Sequence, residues 1–181
     1  MQVPPLPQLR YSRAARWFHW LAFAAVALAY LLINIVDLFP RGSAAKKLVL
    51  QGHFMAGLVV LVLVLPRLWH RLHNAPPMIA PALMPWQSLL SRVTHLLLYA
   101  FLLVQPILGV WTVWARGRGI GVPFTGLEIP SPLLEDRALS QRFEDIHAWI
   151  GTIFYYVIGL HVLSAGWHHF LRRDDTLRRM L

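Results

Sequence analysis

Four apolar runs divide this chain, and each is long enough to cross a bilayer, which takes about 20 residues of helix. They cover about Trp17 to Val36, Leu48 to Leu65, Ser88 to Trp114 and Ile146 to Leu171. Hydrocarbon offers no water to unpaired backbone groups, so runs of this kind fold as helices. The chain is 57% hydrophobic and only 14% charged, against about 25% charged in ordinary soluble domains. The expected fold class is therefore all-α, an integral membrane four-helix up-down bundle, with residues 1–181 forming a single domain. The first run resembles the core of a secretory signal, but it is longer and lacks a small-residue cleavage site, so it is expected to be retained. Pro106, inside the third run, predicts a kink.

The connections carry the polar residues. The second one, HNAPPMIAPALMPWQ, is too rich in proline for regular helix or strand. The third, RGRGIGVPFTGLEIPSPLLEDRALSQRFED, reads either as a folded cap on the membrane surface or as an unstructured linker. The N-terminus, the second connection and the C-terminal tail hold Arg10, Arg13, Arg16, Arg67, Arg71, Arg92, Arg172, Arg173, Arg178 and Arg179. The opposite side holds Arg41, Lys46, Lys47, Arg116, Arg118, Arg137 and Arg142, diluted by Glu128, Glu135, Asp136, Glu144 and Asp145. Basic residues mark cytoplasmic loops, so both termini are expected in the cytoplasm. The net charge of +9 is thus spent on flanking membrane spans, and no nucleic-acid partner is expected.

Histidines inside the runs supply the chemistry. His147 and His161 stand fourteen residues apart in the last run. Fourteen helical steps return to within roughly 40° of the start, so both rings share one face, separated by roughly 21 Å along the axis. An imidazole inside a membrane is costly and asks for a partner. Two of them at different depths suggest two stacked metal centres, with haem iron the leading candidate. The chain has no cysteine, which excludes iron–sulfur clusters, thiolate-ligated haem and covalent c-type attachment. Any haem is then held non-covalently.

Depth pairs the remaining histidines. Alternating span directions put His19 near the cytoplasmic face with His161, and His53 near the outer face with His147. Each pair can clamp one iron from two helices. Gly57, Gly151 and Gly159 lie beside these ligands, where small residues let a flat porphyrin approach the backbone; plain close packing of helices accounts for them equally well. His95 shares the cytoplasmic depth and is open to several roles: an alternative ligand, a propionate or quinone partner, or a buried hydrogen bond. His70 and His73 read as solvated interfacial residues, and His168 and His169 as interface anchors. Di-iron bundles need inward carboxylates that these spans lack, and a closed zinc site gathers its ligands at one depth rather than two. A proton-coupled transporter would place an acid mid-membrane, whereas Asp37 lies near a span end.

The segments R-W-F-H-W around His19, Q-G-H-F around His53 and R-V-T-H-L-L-L-Y around His95 resemble the bacterial cytochrome b561 family. The closing stretch, Y-Y-V-I-G-L-H followed by W-H-H-F and D-D-T-L-R-R-M, is the most specific part, and the likeness covers nearly the whole chain. The resemblance implies two haem b groups stacked across a bacterial inner-membrane bundle, with His19 and His161 ligating the cytoplasmic-side iron and His53 and His147 the outer one. Within the family the compact form is most similar to small stand-alone members with superoxide:ubiquinone oxidoreductase activity. That implies membrane lipid, ubiquinone as acceptor, and superoxide or another redox donor as partners. Arg41, Lys46 and Lys47 lie on the side of His53 and either steer an anion or form an ordinary charged loop. Arg118, Arg137, His95 and the N-terminal arginines are candidate quinone contacts. The alternative function is an anchor subunit that relays electrons from a partner dehydrogenase or hydrogenase protein to quinone. A haem-free transporter or assembly factor is a third reading.

Overall fold

The computed structural model describes residues 10–77, 79 and 82–181; the expectation of irregular chain at positions 78, 80 and 81 falls outside them. Four long helices run up and down: α1 Arg13–Ile35, α2 Ala44–His73, α3 Pro85–Ala115 and α4 Arg137–Trp167. All four are long and apolar enough to cross a membrane. Ser12, Ser43 and Asp136 cap α1, α2 and α4 by accepting backbone N–H groups of the first turn, which satisfies donors a helix cannot satisfy itself. The buried core is small, built from Ala25, Val60, Val64, Phe101 and Leu102. Most large apolar side chains face outward, as lipid-facing residues do in a membrane bundle.

Two boundaries differ from the sequence reading. Helix α2 does not stop at Pro66-Arg67 but continues through Pro66 to His73. Proline costs one internal hydrogen bond, and neighbouring structure in a membrane bundle tolerates that loss. His70 and His73 are therefore helical: His70 Nε2 bonds Ser12 Oγ at 2.8 Å, and His73 donates to the Trp69 carbonyl and stacks on its ring. Helix α4 begins at Arg137, well before Ile146, because Asp136 provides a cap and the amphipathic turns up to Asp145 extend the span. Helix α3 remains continuous through Pro106.

The α3–α4 connection is a folded cap. Helix α3 ends in a Schellman arrangement, with Gly117 N–H on the Trp114 carbonyl and Arg118 N–H on that of Val113; Gly117 takes the left-handed φ of +65° that this ending demands. A short antiparallel ribbon follows, β1 Ile120–Gly121 with β2 Glu128–Ile129. Ile120 is buried, while Phe124 at the tip is exposed. Buried Ser140 ties the cap's two roots together: it donates to the Thr112 carbonyl and accepts from Arg116 Nε, and Arg116 also pairs with Glu144. This end, which also carries the α1–α2 connection, is called the hairpin end below.

The opposite, termini end is closed by the C-terminal tail. After α4 the chain makes one π turn, His168–Arg172, and reverses at Arg173, whose φ is +57°. Buried Asp174 accepts from His168 Nδ1 and from the Thr176 backbone N–H. His168 is thus a structural partner rather than an interface anchor. Arg179 donates to the Pro77 carbonyl and lies over Tyr11, Trp20 donates to the Met180 carbonyl, and Arg172 reaches Gln87. Burial alone would raise the Asp174 carboxyl, but the hydrogen bonds from His168 and Thr176 outweigh it and hold the group below its usual range. A depressed carboxylate contributes stability above its unfolded pKa of about 3.9 and loses it as pH falls through the folded value. The tail is expected to loosen only in that acid window. Asp174→Asn should loosen it at neutral pH, and limited trypsin digestion is expected to cut at Arg173 and Arg178 several-fold faster than in the unaltered chain.

Candidate functional site

The bundle brings the four depth-matched histidines together in two pairs at opposite ends. At the hairpin end, His53 of α2 and His147 of α4 face each other with ring centres 6.2 Å apart at 89°. At the termini end, His19 of α1 and His161 of α4 are 6.4 Å apart at 67°. An imidazole nitrogen binds a first-row metal at about 2 Å, so two rings that share one ion from opposite sides have centres on the order of 6 Å apart. Both pairs meet that spacing. Among the described residues no group of three or more His, Asp or Glu side chains is arranged to hold a bare ion.

Each pair lines a cleft. The hairpin-end cleft has an empty volume of about 310 Å³ and is walled by apolar residues of α2 and α3, with Ile120 of the ribbon among them. The termini-end cleft is larger, about 590 Å³, and is lined by Phe23, Val26, Leu98, Phe101, Leu102 and Ile158 alongside its histidines and Arg67. Apolar and flanked by paired imidazoles, these clefts suit a porphyrin better than a hydrated ion.

The ring hydrogen bonds decide which nitrogens are available. His53 Nδ1–H donates to the Ala29 carbonyl at 2.9 Å, and His147 Nδ1–H to the Gln105 carbonyl at 3.0 Å. This tautomer leaves Nε2 with a free lone pair, and such outer hydrogen bonds are what orient metal-ligating histidines. Gln105 returns the contact through its side-chain amide, which donates to the His147 carbonyl at 2.7 Å. The hairpin-end pair therefore fits the ligand role directly.

The termini end is more crowded. His95 of α3 is a third imidazole there, its ring centre 5.8 Å from that of His161. Its Nδ1–H donates to the Ser91 carbonyl at 2.6 Å, the same ligand-competent tautomer. At His19, by contrast, Arg67 donates to Nδ1 at 2.8 Å, which leaves the proton of a neutral ring on Nε2. Ligation through His19 Nε2 requires Arg67 to exchange this contact for another acceptor.

Several contributors escaped the sequence reading. Arg67 enters the cleft because α2 runs past Pro66. Gln105 and Gly109 form the socket of His147: a Cβ at Gly109 would lie 3.2 Å from His147 Cε1. A polar residue in mid-span next to Pro106 is the one sequence signal that could have pointed to Gln105. The flanking glycines divide: a Cβ at Gly57 or Gly159 meets nothing within 4 Å, and Gly57 lines the cleft, whereas Gly151 abuts the Gln105 amide at 3.1 Å. Gly109→Val is expected to push the His147 ring off its Gln105 contact and to cost about 1–3 kcal/mol, as overpacking does; thermal unfolding in detergent measures it. Of the surface cations, Lys46 is paired with Asp37 at 2.9 Å and Arg137 with Glu135 at 2.6 Å; the Arg137 contact holds the exposed Glu135 carboxyl below its usual range.

Comparison with known proteins gives a consistent result. The profile of the family described as Prokaryotic cytochrome b561 matches residues 10–181. Cytochrome b561 homolog 1 of Escherichia coli (strain K12) is 28% identical over 172 residues, 95% of this chain and 97% of the relative. A Yersinia pestis protein described as Probable superoxide oxidase CybB is 30% identical over 172 residues, 95% of this chain and 96% of the relative. Cytochrome b561 homolog 2 of Escherichia coli (strain K12) is 28% identical over 176 residues, 95% and 91%.

Proposed function

The chain belongs to the prokaryotic cytochrome b561 family of membrane b-type cytochromes, and we propose that it is a two-haem electron carrier that oxidises superoxide at its hairpin end and reduces ubiquinone. The observation that carries the two-haem reading is the pair of facing imidazoles at each end of one bundle, at 6.2 and 6.4 Å. His53 and His147 hold the hairpin-end haem, and His19 and His161 the termini-end one. Bound haem supplies a one-electron carrier whose potential the protein sets through ligands, hydrogen bonds and burial.

The chain's own residues do the rest. The Ala29 and Gln105 carbonyls fix the tautomer and orientation of His53 and His147. The ribbon, through Ile120, covers the hairpin-end cleft and limits water there. The positive-inside bias supports cytoplasmic termini in a bacterial inner membrane, with the hairpin end facing outward. Superoxide as donor rests on the relative described as a superoxide oxidase and on basic residues at that end. Lys46 is neutralised by Asp37, which leaves Arg41 and Lys47 as the cations of the α1–α2 connection available to attract an anion. Two superoxide anions give up one electron each, leaving dioxygen, and one ubiquinone takes both electrons with two protons to become the quinol.

Purified protein in detergent is expected to show a reduced b-type spectrum with about two haems per chain, and to consume superoxide only when ubiquinone is added. Absence of haem would sink the whole reading. Haem without superoxide-dependent quinone reduction, together with co-purification of a peripheral redox subunit, would favour the anchor function. A second ligand assignment has its own support: His95, ring-centred 5.8 Å from His161 and already in the ligand tautomer, is the competing partner at the termini end.

A further inference from the structure

The two clefts differ in charge. None of the side chains lining the hairpin-end cleft carries a fixed charge. Glu144, three residues before His147 on α4, is itself paired with Arg116. The termini-end cleft contains the guanidinium of Arg67, 2.8 Å from His19 and 5.3 Å from the centre of the Tyr99 ring. Among the described residues no carboxylate forms an ion pair with it. The rings of His19 and His95 are centred 6.4 and 5.8 Å from that of His161, and Arg67 lines the same cleft as all three.

An uncompensated cation inside a membrane is expensive, and a chain that keeps one there generally uses it. Tyr99 lowers the cost through its ring face, a cation–π contact. Arginine keeps its proton under all conditions, so the charge is permanent. In an apolar cleft a unit charge acts several-fold more strongly than in water. Adding an electron to a neighbouring redox centre makes the region one unit more negative, and a fixed cation favours that state.

We propose that Arg67 raises the reduction potential of the termini-end haem above that of the hairpin-end haem, and so gives electron flow through the bundle its direction. This rests on the two-haem reading, but it holds whether His19 or His95 is the partner of His161, because the guanidinium lies beside the whole imidazole cluster. It also holds if Arg67 turns from His19 to a haem carboxylate, since deleting the cation then leaves that carboxylate uncompensated. The quinone acceptor is accordingly expected to draw from the termini-end centre.

Spectroelectrochemical titration of the purified protein tests this, with His53→Ala used to identify the termini-end transition. Arg67→Gln is expected to lower the termini-end potential by about tenfold in the reduction equilibrium, about 59 mV for one electron, and to move the other transition by less than threefold. A fall below threefold, or an equal fall of both transitions, overturns the proposal. Arg67→Lys keeps the charge and decides the matter if the glutamine variant does not hold its haem: a potential within threefold of the unaltered protein supports it, and a larger fall overturns it. Absence of haem from the unaltered protein would instead refute the two-haem reading.

Discussion

Replacing His147 with alanine is expected to halve the haem content, from about two groups per chain to about one, with the termini-end haem retained. The reason is local. His147 and His53 face each other across one cleft, each fixed by a carbonyl on a neighbouring helix, and among the described residues no third imidazole lines that cleft. His53→Ala should give the same single-haem product. Pyridine haemochrome assay with low-temperature spectra reads the outcome, and retention of both haems in either variant would refute the pairing. The variants should also unfold at lower temperature, because a tightly bound cofactor stabilises the folded state by mass action. Superoxide-driven quinone reduction should fall at least a hundredfold, since the donor-side carrier is missing.

His161→Ala is expected to be equally severe at the termini end, and here the structure makes a sharper demand. His161 sits within ring contact of both His19 and His95, so it is common to either ligand pair and its loss removes that haem outright. The two possible partners then separate by single substitutions. With His19 as ligand, His19→Ala empties the termini-end site, while His95→Ala leaves two haems and shifts only the spectrum. With His95 as ligand, the outcomes exchange. Arg67 bears on the choice: its bond to His19 Nδ1 has to break for His19 to bind, whereas His95 already has its proton on the far nitrogen. Haem quantification of the two variants decides it.

Much of this is legible in the amino-acid sequence. Lipid-length apolar runs permit few arrangements, because a backbone without water must satisfy itself within each span. The number, order and direction of the helices follow from that, and so does the matching of His53 with His147 and of His19 with His161 by depth. Boundaries were less legible. Pro66 read as a stop because proline breaks an isolated helix, yet packing carries α2 onward to His73. The start of α4 was hidden because its first turns, Arg137 to Asp145, are polar and look like loop until Asp136 is seen to cap them.

The amino-acid sequence by itself determined the fold class, the membrane setting and which end of the bundle holds each of His19, His53, His147 and His161, since each depends on composition and position along a span. Only the tertiary structure decided what surrounds those rings. It put Gln105 and Gly109 behind His147, gathered His95 into the cluster of His19 and His161, and turned Arg67 into a cleft otherwise lined by apolar side chains and imidazoles. Those are contacts between helices far apart in sequence, and periodicity along one helix carries no information about which face its neighbour presents.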